Sequence, residues 1–167
     1  MREEVQSLKP YRIVLSEESL PGTGYFDYEE KELAFSLEPT QSPHSSVTFE
    51  PHVVVAHEFG HYKAYKSGEQ LPGQGFSTSY VNEANAWRHA IAGFKKSGNY
   101  TEDIRQSAID ALQTEYSWGF EGYQVEEAGK FAEKLVDYIE RNPDKKVTRP
   151  TVRKIAKEVG FVGGTFG

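Results

Sequence analysis

The feature that most constrains this chain is a pair of histidines four residues apart, in His57-Glu58-Phe59-Gly60-His61. They lie in an apolar stretch, Pro51-His52-Val53-Val54-Val55-Ala56 leading in and Gly68 closing it. Proline suits the first turn of a helix, Thr48 or Glu50 can cap just before it, and glycine is a natural stop, so a helix is expected over 51–68. On a helix, positions i and i+4 lie about 40° apart around the axis and one turn apart along it. Both imidazoles then leave the same face. Glu58 sits about 100° around from His57, near that face but not on it. Burying these three polar groups in an apolar helix is costly unless a metal ion or hydrogen bonds compensate them. The H-E-x-x-H pattern on a helix is a metal-binding signature, and it points to one ion held by His57 and His61.

Composition narrows what can complete such a site. The chain has 167 residues and no cysteine. Disulfides, thiolate-bound metals and thiol catalysis are therefore excluded. The only other histidines are His44, His52 and His89. With 19 Lys+Arg against 25 Asp+Glu the net charge is −6, which gives no footprint for nucleic-acid binding. A catalytic zinc ion takes three protein ligands and keeps one position open. An extended motif with glycine and histidine after the second histidine would need them at 64 and 67. Those positions hold Ala64 and Ser67. His52 lies about 140° from His57 around the helix and His89 about 240° from Glu83, so neither is expected at the metal.

A carboxylate on a second helix is the remaining solution, and Glu83 in Val81-Asn82-Glu83-Ala84-Asn85-Ala86-Trp87 is the candidate. The face of its helix, expected over 80–97, reads Glu83, Ala86, Trp87, Ala90, Phe94 and is otherwise apolar. A carboxylate on such a face is expensive to bury unless it meets a cation. The plainer reading is a first-turn glutamate favoured by the helix dipole. Asn82 and Asn85 either orient a ligand histidine or cap the helix.

The rest of the chain predicts an α+β fold. Residues 11–15 form a β-branched strand, 24–37 a hairpin around a charged turn, and 38–47 a loop. Thr101 is expected to cap a helix with Ile104, Ala108, Ile109, Leu112 and Tyr116 on one face. Gly119 and Gly122 interrupt it. Val125, Ala128, Phe131, Ala132, Leu135, Val136 and Ile139 form the clearest helical stripe, which Asn142-Pro143-Asp144 ends. A last helix runs from about Pro150 to Val159. The expected architecture is a small antiparallel or mixed sheet of about three strands, packed on the histidine helix and the Glu83 helix. A helical C-terminal extension follows. The reading is one domain over 1–167, with a core at about 11–98 and the extension at about 101–160. The segment TVRKIAKEVGF resembles the opening helix of a helix-turn-helix, but no recognition helix follows. The glycine-rich tail FVGGTFG reads as a disordered terminus. No stretch approaches the roughly 20 apolar residues of a membrane helix, and the N-terminus lacks a signal-peptide pattern, so a cytoplasmic protein is expected.

HEFGH followed by NEANAW resembles the gluzincin metallopeptidases, most closely the ImmA/IrrE-type family. The resemblance covers residues 11–95. By position it implies His57, His61 and Glu83 as zinc ligands and Glu58 as general base. Trp87 stands where the thermolysin-type pattern has an acidic residue, which fits the ImmA/IrrE form. Arg88 departs from the small residue usual there, and Lys63 is less apolar than usual. The family layout implies that the strand 33–37 is the sheet edge beside the cleft, with Ala34, Phe35 and Ser36 pairing with an extended substrate. An ordinary edge strand is an equal reading. Peptide hydrolysis also wants a donor for the oxyanion, and no histidine follows His89, which leaves Tyr80, Tyr116 and Tyr123. The expected function is zinc-dependent hydrolysis of a protein or peptide substrate, such as a regulator. The alternative is a zinc-binding regulatory module that cleaves nothing; a secreted digestive peptidase fits the N-terminus poorly.

Overall fold

The computed structural model describes residues 12–16, 24–73, 76–117 and 123–161, with 16, 76–77, 116–117 and 123–125 as backbone alone. Five strands and five helices are found among them. Strands β1 (Arg12–Ser16), β2 (Gly24–Asp27) and β3 (Glu32–Ser36) come first. β4 (Thr40–Gln41) and β5 (Thr48–Phe49) follow. The helices are α1 (Pro51–Lys66), α2 (Phe76–Lys96), α3 (Glu102–Ser117), α4 (Tyr123–Arg141) and α5 (Arg149–Glu158). The fold is α+β, with a mixed three-stranded sheet and a helical C-terminal region. No helix of the described residues is long and apolar enough to cross a membrane.

The hairpin forms where its sequence places it. Asp27 Oδ1 accepts the N–H groups of Glu29 and Glu30 at 3.0 and 2.9 Å, which folds the turn, and Lys31 closes it in the left-handed region at φ 53°. β2 then pairs antiparallel with β3. The order of the sheet is β1-β3-β2, and β1 runs parallel to β3, Ile13 opposite Leu33 and Leu15 opposite Phe35. This corrects the edge-strand expectation. Ala34, Phe35 and Ser36 lie buried in the central strand, Ala34 and Phe35 paired on both sides and Ser36 with Ser16 of β1. A hairpin read alone leaves one side of β3 open; β1, returning from earlier in the chain, occupies it. The segment 38–47 is also not all loop, because β4 and β5 pair across it. Asp110 on α3 holds that turn, accepting the hydroxyls of Ser42 and Ser45 at 2.6 and 2.5 Å.

α1 starts at Pro51, with Glu50 at its N-cap but making no side-chain cap bond. It ends at Lys66, and Gly68 just beyond turns the chain with a φ of 73° that suits glycine, while the Glu69 N–H reaches back to the Ala64 carbonyl. α1 lies between two apolar clusters. Val55, Phe59 and Tyr62 face the sheet with Leu33, Phe35, Ile13 and Phe26. Val53 and Ala56 face the helices. α2 begins at Phe76, earlier than its Ser/Thr-rich start suggests, because tertiary contacts outweigh that weak propensity. Arg149 donates to the Thr78 hydroxyl and the Ser79 hydroxyl donates to Glu115. Thr101 Oγ1 accepts the Ile104 N–H at 3.2 Å, the expected cap of α3. On α4, Ala128, Phe131, Ala132, Leu135, Val136 and Ile139 are fully buried. Each of the larger ones contributes about 1.5–3 kcal/mol. Phe161, just past α5, stacks on Phe131. One hydrophobic cluster runs from Val53 of α1 through α2, α3, α4 and α5, so the extension and the histidine helix share a core. The tail 162–167 and the breaks at Gly119 and Gly122 lie outside the described residues.

Candidate metal centre

α1 and α2 pack face to face, and Gly60 makes their approach possible. A β-carbon at Gly60 would lie 2.1 Å from the Ala86 carbonyl oxygen. At that contact His57, His61 and Glu83 converge. Glu83 Oε2 lies 3.0 Å from His57 Nε2, and its Oε1 lies 3.0 Å from His61 Nε2. One donor atom from each residue falls within 4.8 Å of the others. Three donors each about 2.0–2.2 Å from one ion span a comparable distance, so the group can hold a metal ion. Glu58 is 4% exposed, with Oε1 3.9 Å from His57 Nε2, close to the triad without joining it.

Aromatic rings set the imidazoles. His57 stacks on Trp87 at 4.4 Å between centroids, and His61 lies parallel to Phe26 of β2 at 6.4 Å. Trp87 is one turn beyond Glu83, where another pattern would carry an acid; here its ring forms a wall for a ligand histidine. Among the described residues the buried His57 Nδ1 has no hydrogen-bond partner. Its ring is therefore oriented by stacking rather than by a carbonyl or carboxylate behind it. Gly24 at the start of β2 closes the other side. A β-carbon there would meet Glu58 Cγ at 3.2 Å and the Ala34 carbonyl at 2.6 Å.

The charges of the three residues are coupled. Burial works against a charge on His61, but the Glu83 carboxylate overrides it and lifts its pKa to about 9. Burial likewise opposes ionisation of Glu83, and His61 and His57 outweigh it, holding the carboxyl well below the usual range. Burial pushes Glu58 up, only partly offset by the two histidines.

No family model, curated protein or solved structure matches this chain.

The remaining candidates are distributed as follows. Tyr80 is 1% exposed and packs its ring on Phe131 in the helical core. The side chains of Tyr116 and Tyr123 lie outside the described residues. Ala34, Phe35 and Ser36 are enclosed in the middle of the sheet. The strand that borders Glu58 and His61 is β2, which pairs on one side only among the described residues. The Asn82 and Asn85 side chains bond elsewhere than to His57 and His61. Asn82 accepts the Leu71 N–H and donates to the Leu71 carbonyl at 2.8 and 3.2 Å; Asn85 does the same to Val147 at 2.8 and 3.0 Å. The two amides clamp two loops, on either side of Glu83. Arg88 is buried and ties Asn85, the Pro143 carbonyl and Glu69 together. His89 joins Glu69 at 2.9 Å, His44 bonds Thr114, and His52 is exposed with its ring against Phe94. All three are engaged away from the triad.

Sequence reasoning missed Glu115 on α3. The Ser79 hydroxyl donates to its Oε1 at 2.8 Å, and Glu83, His57 and His61 all act on its charge. Its position three residues after Leu112 puts it beside the apolar stripe of α3, which was the available signal.

Proposed function

We propose that this protein is a zinc-dependent peptidase of the gluzincin type, acting on a protein or peptide. The observation that supports this is the convergence of His57, His61 and Glu83 with a buried Glu58 beside them. Two imidazoles and one carboxylate with an open side are the donor set of hydrolytic zinc sites. When bound, zinc polarises the substrate carbonyl and lowers the pKa of water to about 7. Glu58 then has the general-base role: its carboxylate takes a proton from the attacking water and passes it to the leaving amine. Its burial favours proton acceptance, because desolvation makes it a stronger base. The aromatic wall of Phe26 and Trp87 keeps the imidazoles facing the donor centre. The open side of β2, at Gly24, Tyr25 and Phe26, is where an extended peptide would add as a strand.

The test is zinc stoichiometry together with cleavage of a varied peptide and protein panel by wild type and Glu58→Gln. One zinc per chain in both proteins, with turnover in wild type alone, supports the peptidase. Zinc in both with turnover in neither supports a silent metal-binding module instead.

A further inference from the structure

We propose, resting on the peptidase reading above, that Glu115 is a specificity-determining residue that binds a cationic nitrogen of the substrate beside the reacting carbonyl. That nitrogen belongs to a Lys or Arg side chain or to a free amino terminus.

The placement comes first. Ser79 and Glu83 are four residues apart on α2 and so share a face, one turn apart. Ser79 holds Glu115 Oε1 at 2.8 Å. The Glu115 carboxylate is thereby held about one helical turn from the stem of Glu83. It is only partly buried, so a ligand can reach it. Its second oxygen, Oε2, has no donor among the described residues.

Charge points to the ligand. Glu58 and Glu115 both feel the charge of Glu83 and of the two histidines. The positive groups acting on these three carboxylates are His57 and His61, and no Lys or Arg of the described residues pairs with any of the three. Burial and the neighbouring Glu83 push Glu115 above the usual carboxylate range, against the Ser79 hydrogen bond and the two histidines, so a further positive group beside it would be favoured. A substrate cation supplies that charge and bonds the free oxygen. Neutral or acidic groups at the same place would not.

The experiment uses the full zinc-loaded chain and fluorogenic peptides. Each carries Arg or its neutral isostere citrulline beside the scissile bond, with the amino terminus free or acetylated. Wild type should prefer the cationic member of a pair by about tenfold or more in kcat/KM, the size of one charge-assisted hydrogen bond. The Arg–citrulline pairs report a side-chain cation and the free–acetylated pairs an amino terminus. Glu115→Gln should bring the preferred ratio to near one, mainly through KM, with zinc content unchanged. Glu115→Lys should favour a Glu-bearing peptide. A merely structural role would lower all rates together and leave the ratio intact. Equal rates on charged and neutral peptides in wild type, or a ratio that survives Glu115→Gln, overturns the proposal while the peptidase reading stands. If wild type turns over none of the peptides, the peptidase reading fails by itself. The same pairs titrated into zinc-loaded Glu58→Gln by fluorescence anisotropy then decide Glu115: a cation preference lost in Glu58→Gln/Glu115→Gln keeps it, and no preference overturns it.

Discussion

Gly60 lies against the backbone of Ala86 so closely that even one added carbon would reach 2.1 Å from the carbonyl oxygen. The obstacle is main chain, so no rotamer change relieves it. This contact sets the separation of α1 and α2, and through it the reach of Glu83 to His57 and His61.

Gly60→Ala should therefore cost more than a usual helix substitution. Overpacking of this kind costs about 1–3 kcal/mol. The helices must part, so zinc affinity should also fall at least about tenfold, each 1.4 kcal/mol being tenfold. Gly93, exposed on α2 with nothing near its would-be β-carbon, is the control: Gly93→Ala should stabilise by about 0.5–1 kcal/mol. Thermal denaturation and zinc titration of both variants check this.

Metal binding should raise stability by mass action. At a free zinc concentration about a thousand times Kd the gain is about 4 kcal/mol. It should vanish in His61→Ala, shrink strongly in Glu83→Gln, and persist in Glu58→Gln. Melting curves with and without chelator distinguish these. A full zinc-induced shift in Glu83→Ala would remove Glu83 from the ligand set.

The pH dependence has a definite sign. The pKa of His61 is about 9 in the metal-free fold against 6.5 ordinarily, so its contribution is fully present below pH 6.5 and is lost as pH rises to 9. Glu83 is shifted down from 4.5, so its contribution is present above that pH and is lost in acid. The metal-free protein should be most strongly supported by this pair between pH 4.5 and 6.5. Zinc must displace the His61 proton. Its affinity should climb about tenfold per pH unit below 9, with close to one proton released per ion in calorimetry.

Asn85→Ala removes both partners of the buried Val147 backbone and one acceptor of Arg88. A loss of about 2–3 kcal/mol is expected, because buried groups are left unpaired. Urea denaturation measures it. Zinc stoichiometry should stay at one per chain, since the Asn85 side chain bonds elsewhere than to the triad.

Much of this protein is legible in consecutive residues. The span of α1, the shared face of His57 and His61, the hairpin turn at Asp27 and the α4 stripe follow from spacing, capping and periodicity. These are local properties, set within one or two turns of chain. Glu83 was legible as well, because a lone carboxylate on an apolar face is conspicuous. Tertiary structure decided the rest. Which strand lies in the middle of the sheet depended on β1, whose pairing with β3 is parallel and long-range. The early start of α2 depended on Arg149 and Glu115, far along the chain. Asn82 and Asn85 were turned from the histidines to Leu71 and Val147 by loops that only docking brings near. Glu115 meets Ser79 because α3 packs beside α2. Local sequence determines what a segment can be; the long-range contacts that minimise buried, unpaired groups decide what it stands beside.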